Sequence, residues 1–144
     1  MSATPPFNAQ LLGQTEKAAN AILERLLSEP GLTEPQWVAL SLTAMSEGSL
    51  DRAQLTDRVA DALKADSAEA HALIDALSDA ALVDGVSPVR LTDEGQRVFS
   101  SVRATSAEIT SRLWGDLPPD ELAAAGRVLA TVLERANVEL AFTD

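Results

Sequence analysis

Apolar residues recur at helical spacing along almost the whole chain. From Asn8 they fall at Leu11, Leu12, Ala19, Ile22, Leu23 and Leu26. That stripe, with a period near 3.6 residues, predicts a long first helix ended by Pro30-Gly31. Thr33-Glu34-Pro35-Gln36 has the form of a capping box, in which a Thr oxygen and a Gln three residues on satisfy each other's free N–H groups. The helix it opens runs through Trp37, Leu40, Leu42 and Met45 to Gly48. Asp51 caps a short helix carrying Leu55, Val59, Ala62 and Leu63, and Ser67 caps another carrying Leu73, Ile74, Leu77 and Ala81. Three short helices joined by tight turns predict a helix-turn-helix core.

The period then changes. Leu82-Val83 and Val89-Arg90-Leu91 flank Asp84-Gly85-Val86-Ser87-Pro88, which predicts two small strands and a turn, a hairpin or wing. Thr92 caps the next helix, with Asp93 and Glu94 on the positive end of its dipole. It carries Val98, Phe99, Val102, Ile109 and Leu113. Leu117-Pro118-Pro119-Asp120-Glu121 starts the last helix, whose stripe is Leu122, Leu129, Val132, Leu133, Ala136 and Leu140.

The expected fold is therefore mainly α: a winged helix-turn-helix with a small β-hairpin wing, plus N- and C-terminal helices. The 144 residues read as a single domain. Its winged-helix lobe covers residues 33–95, and its outer helices cover 8–30 and 96–144. Those outer helices are too apolar for one small module to cover. Their best burial is against the same helices of a second copy, so a two-fold homodimer is expected through Leu12, Ile22, Leu129, Leu133 and Leu140.

Composition narrows the function. The net charge is −11, which opposes casual binding to nucleic acid or anionic lipid and makes the placement of the few cations decisive. Between Lys64 and Arg90 there is no lysine or arginine, yet there are Asp66, Glu69, Asp75, Asp79 and Asp84. That gap covers the helix and wing that a winged helix presses against DNA. With no cysteine, disulfides and thiol redox switches are excluded. Residues 1–7 read as a loose leader without signal-peptide features, and no stretch approaches a membrane span. Nine arginines against two lysines in an Ala-rich chain point to a GC-rich bacterial genome and a cytoplasmic protein.

Enzymatic chemistry finds no footing. The chain has one histidine, no Gly-x-Ser-x-Gly, no phosphate-binding glycine loop and no His-Glu-x-x-His. Its acids are scattered at helix starts and outer faces rather than gathered as oxygen ligands. No enzyme activity, cofactor or metal site is expected.

At this point the sequence resembles the MarR family of bacterial winged-helix regulators, over nearly its whole length from about Leu11 to Leu140. The residues that carry the resemblance are Leu32-Thr33-Glu34-Pro35-Gln36-Trp37-Val38-Ala39-Leu40, Leu73-Ile74-Asp75-Ala76-Leu77 and Leu82-Val83. Leu91-Thr92-Asp93-Glu94-Gly95 and Trp114-Gly115-Asp116-Leu117-Pro118-Pro119-Asp120-Glu121-Leu122 complete the set. The Leu-Thr-x-x-Gly step is the most specific of them. The resemblance implies a dimeric transcriptional regulator with one recognition helix per subunit in the major groove and a wing on the adjacent minor groove. It also implies a crevice for small aromatic acids between the dimerisation helices and the DNA-binding lobe, where Trp37 is the candidate stacking surface.

The chain departs from that family where DNA would be met. Ala72, Ala76 and Ala80 occupy the face where basic or polar residues are usual, Ala81 stands where glycine is common, and the wing has shrunk to Gly85-Val86-Ser87-Pro88. The candidate DNA-binding residues are the N-terminus and hydroxyl of Ser67, His71, Ala72 against a thymine methyl, and the cations Arg52, Lys64 and Arg90. Adjacent acids Asp51, Asp57, Asp61 and Asp66 would partly neutralise the cations of this region, Arg58 included. DNA contact is thus expected to be weak or atypical. The alternative is a MarR-like dimer that has lost sequence-specific recognition and serves as a small-ligand or protein-partner module.

Overall fold

The computed structural model describes residues 4–142, so the first three residues of the expected leader lie outside the described residues. Six helices and one hairpin follow in order: α1 (Ala9–Ser28), α2 (Glu34–Ser46), α3 (Arg52–Leu63), α4 (Ser67–Asp79), β1 (Val83–Asp84), β2 (Arg90–Leu91), α5 (Asp93–Trp114) and α6 (Pro119–Ala141). The winged helix-turn-helix read from the sequence is the fold observed. The chain divides into two compact units, residues 1–106 and 107–144, with the division inside α5.

Local chemistry sets each helix start. Asn8 caps α1, accepting from the Leu11 N–H. Thr33 and Gln36 form a complete capping box on α2, and Asp51 with Gln54 forms a second on α3. Ser67, expected to cap α4, is instead its first residue. Asp66 is the cap, with its carboxylate accepting from the Glu69 N–H. Two cap-competent residues stand side by side there. The left-handed turn at Lys64, φ 53, which closes α3, leaves Asp66 extended and in the capping position.

Within the first unit, α2, α3, α4 and the hairpin close around Leu40, Leu55, Val59, Ile74, Leu77 and Val89, all essentially buried. Each large apolar side chain so buried stabilises the fold by about 1.5–3 kcal/mol. Val83 pairs with Leu91 and Asp84 with Arg90 in antiparallel register, one residue later on the first strand than the apolar pattern predicts. The loop between them folds back on the start of α3. The Arg52 N–H donates to the Val86 carbonyl (2.8 Å), and the Val89 N–H donates to the Leu50 carbonyl (3.0 Å). A wing this short is a brace across its own lobe.

The Leu-Thr-x-x-Gly step joins hairpin to α5 as a clamp. The Thr92 N–H donates to the Leu82 carbonyl (3.0 Å), and its hydroxyl donates to the Ala81 carbonyl (2.6 Å) while accepting from the Gly95 N–H (3.0 Å). Gly95 is buried with the Leu82 carbonyl directly over it, where any Cβ would collide. The motif is thus explained by packing and hydrogen bonding.

The second unit buries little. No residue of α6 is buried, and Leu129, Leu133 and Leu140 of its apolar stripe are exposed. Trp114 ends α5 nearly half exposed.

Candidate functional site

Two surfaces of the first unit carry the candidate residues. One is the outer face of α4 with the α3 residues beside it. Ser67, Ala68, His71, Ala72, Asp75 and Asp79 are exposed there, opposite the buried Ala70, Ile74 and Leu77. The face is open to solvent, and α4 contributes no lysine or arginine to it. Ala72 is exposed, Ala76 half-buried, and Ala80 is the C-cap rather than part of the helix face. Ala81 has φ 61, a left-handed conformation that costs an L-residue about 1–2 kcal/mol. This is the physical reason glycine suits that position.

The neighbouring cations are not all available to a ligand. Lys64 Nζ lies 3.5 Å from Asp61, the near-neighbour pairing the sequence suggests. Arg52 does not pair with its neighbour Asp51. Its guanidinium crosses to α4 and pairs with Asp75, whose second oxygen lies 3.5 Å from His71 Nε2. The Arg52 charge is thus matched within the lobe, and the Asp51 carboxylate beside it is engaged in capping α3. Arg58 has no ion pair among the described residues.

Arg90 belongs to the second surface. It lies over Gly48, where a Cβ would come within 2.9 Å of its guanidinium carbon. Gly48, with φ +77, thereby gives Arg90 room to turn along the end of α2. Together they open an open-mouthed cleft of about 430 Å³ between the end of α2, β2 and α5. Arg90, Arg103 and Gln96 supply donors, Glu47 is the one acid, and Leu91 and Phe99 are apolar wall. Arg103 also sits 5.7 Å from the centre of the Phe99 ring, a cation–π distance. Two arginines beside an aromatic wall can hold a small organic anion, carboxylate to guanidinium and ring to ring.

Trp37 does not line that cleft. It stacks on Phe99, ring centres 5.4 Å apart and 24° from parallel, and so backs the cleft from the core side. Sequence reasoning missed Arg103, Gln96 and Phe99 as cleft residues. The only available signal was the spacing of Gln96, Phe99 and Arg103 on one face of a helix. Among the described residues no group of three or more His, Asp or Glu side chains could hold a metal ion, and no helix is long and apolar enough to cross a membrane.

No protein-family model and no curated protein matches this sequence. Solved structures do match, and the chain shares their winged-helix fold. Several of those neighbours are MarR family proteins. A MarR family protein of Mycobacterium tuberculosis in complex with DNA is 22% identical, with TM-score 0.68 over 90% of this chain and 98% of that one. The same protein in complex with salicylic acid is 21% identical, with TM-score 0.64 over 88% and 98%. CouR from Rhodococcus jostii, bound to p-coumaroyl-CoA, is 19% identical, with TM-score 0.71 over 85% and 88%.

Proposed function

We propose that this chain is a MarR-family transcriptional regulator, a homodimer that binds DNA through α4 and responds to a small aromatic acid. The observation that carries the reading is the uncovered outer face of α4 on an otherwise closed helix-turn-helix core, in the fold of a neighbour crystallised with DNA. Dimerisation is supported by the uncovered apolar stripe of α6, which a second copy would remove from water. Ligand response is supported by the two arginines and aromatic wall of the cleft, and salicylic acid and p-coumaroyl-CoA are what two neighbours hold.

Fluorescence anisotropy on fragments of its own promoter region, in low and moderate salt, tests this directly. Competable binding at about 50 mM salt, weakening as salt rises, is expected, and its absence overturns the DNA reading. Light scattering on the same preparation should give twice 15.2 kDa, and a monomer mass overturns the dimer.

A further inference from the structure

Arg52 and Asp75 are 23 residues apart in sequence and in contact across α3 and α4. They do not share solvent equally: the Arg52 side chain is 19% exposed and that of Asp75 53%. Arg52 is also fixed through its backbone. Its N–H donates to the wing carbonyl of Val86, and its own carbonyl accepts from the Thr56 hydroxyl (2.8 Å). The group offered outward at the middle of α4 is therefore a carboxylate, held from behind by an arginine anchored at a helix start and braced by the wing.

We propose that Asp75 is a base-reading residue of α4 and Arg52 its positioning residue, the pair selecting a cytosine through its N4 amino group. This rests on the DNA-binding reading above. An ionised carboxylate can only accept hydrogen bonds, and cytosine presents a donor, and no acceptor, on its major-groove edge. A bare carboxylate would be repelled by the phosphates on both sides of the groove. Paired with Arg52, the unit is close to neutral, so that repulsion is removed; the second carboxylate oxygen lies 3.5 Å from His71 Nε2, and the side chain, 53% exposed, can still accept a hydrogen bond from outside.

Two features of the helix single Asp75 out. Glu69 and Asp79 are also exposed on α4, yet among the described residues neither has a cationic partner. The preceding turn carries Ala72 on the exposed side, where a small side chain lets the duplex approach, and His71 beside it is the one neighbouring donor on that turn. With no lysine or arginine between Ser67 and Asp79, the usual arginine reading of guanine is closed to this helix. Of the exposed side chains that remain, Ser67, His71, Ala72 and the acids, a carboxylate is the one whose chemistry matches cytosine.

The test is selection from a library of randomised duplexes by the full chain at about 50 mM salt, followed by sequencing. The wild type should enrich half-sites with a fixed C·G pair. Asp75→Ala should make that pair degenerate, with discrimination falling about tenfold, and Asp75→Asn should move the preference towards adenine. Arg52→Ala should blur the same position, Arg52→Lys should restore part of it, and Asp79→Ala should leave it intact. If Arg52→Ala does not fold, the exposed and nearly isosteric Asp75→Asn decides the matter. Unchanged preferences in the Asp75 variants overturn the inference and leave the regulator standing. So does a uniform gain in affinity for all duplexes, which would make Asp75 merely a repulsive charge. No binding to any duplex by the wild type overturns both.

Discussion

The face of α4 and the cleft behind β2 divide the charge of the lobe in opposite ways. On the α4 face the acids are exposed and the nearest arginine is drawn inward to Asp75. In the cleft, Arg90 and Arg103 have no ion pair among the described residues and stand against a single acid, Glu47. A DNA-binding lobe would ordinarily be arranged the other way, with free cations on the groove side. The difference teaches that long-range attraction to phosphate is not what this α4 offers, whereas attraction for a small anion is what the cleft offers. Net charge of −11 hides both facts, since it averages a surface on which these two regions have opposite sign.

Breaking the contrast on the α4 side gives the largest effect. Glu69→Lys with Asp79→Lys removes two exposed acids and adds two cations per subunit, without touching the Arg52–Asp75 pair. If α4 meets DNA, affinity for duplex of any sequence should rise, and the salt slope should steepen by up to about four in a dimer. Anisotropy across a salt series measures it. An unchanged slope would mean that this face never approaches phosphate.

Breaking it on the cleft side should be smaller and confined to ligand. Arg103→Ala removes a guanidinium whose charge-assisted hydrogen bond to a carboxylate is worth about 1.5–3 kcal/mol. Salicylate, chosen as the probe because it offers one carboxylate and one ring, should bind at least about tenfold more weakly by calorimetry. DNA binding without the probe should be unaffected. Equal salicylate affinity in variant and wild type would remove the cleft from the account.

The sequence made the elements legible because their signals are local. Capping at Thr33, Asp51 and Thr92, the Pro118-Pro119 restart and the shortened wing all turn on residues within a few positions of one another. The cleft and the Arg52–Asp75 pair were not legible, because both depend on residues that only packing brings together. Adjacency suggested Asp51 as the partner for Arg52, but a capping carboxylate is already engaged, and the guanidinium finds the next acid across the helix pair. Likewise Trp37 was a reasonable aromatic for a ligand crevice, and the core claims it through Phe99. Arg90 reads as a wing cation in sequence, yet glycine at position 48 gives it space on the cleft side.

The smallest effect sharpens the contrast in the backbone itself. Each surface contains a residue in the left-handed region. The cleft carries Glu47 at φ 50 and Gly48 at φ 77, only the glycine at no steric cost, while the α4–β1 turn carries Ala81 at φ 61. The Ala81 carbonyl is held there by the Thr92 hydroxyl, so the turn is maintained by the clamp rather than by its own preference. Ala81→Gly relieves the steric cost but gives the unfolded chain more freedom, and the two oppose each other. The steric term is the larger at this φ, so a net stabilisation of about 0.5–1 kcal/mol is expected, read as a higher urea midpoint with an unchanged slope. Salicylate affinity should not move, since the turn is not part of the cleft wall. A lower midpoint would show that Ala81 is not strained, and that its left-handed turn is one the chain adopts without help from Thr92.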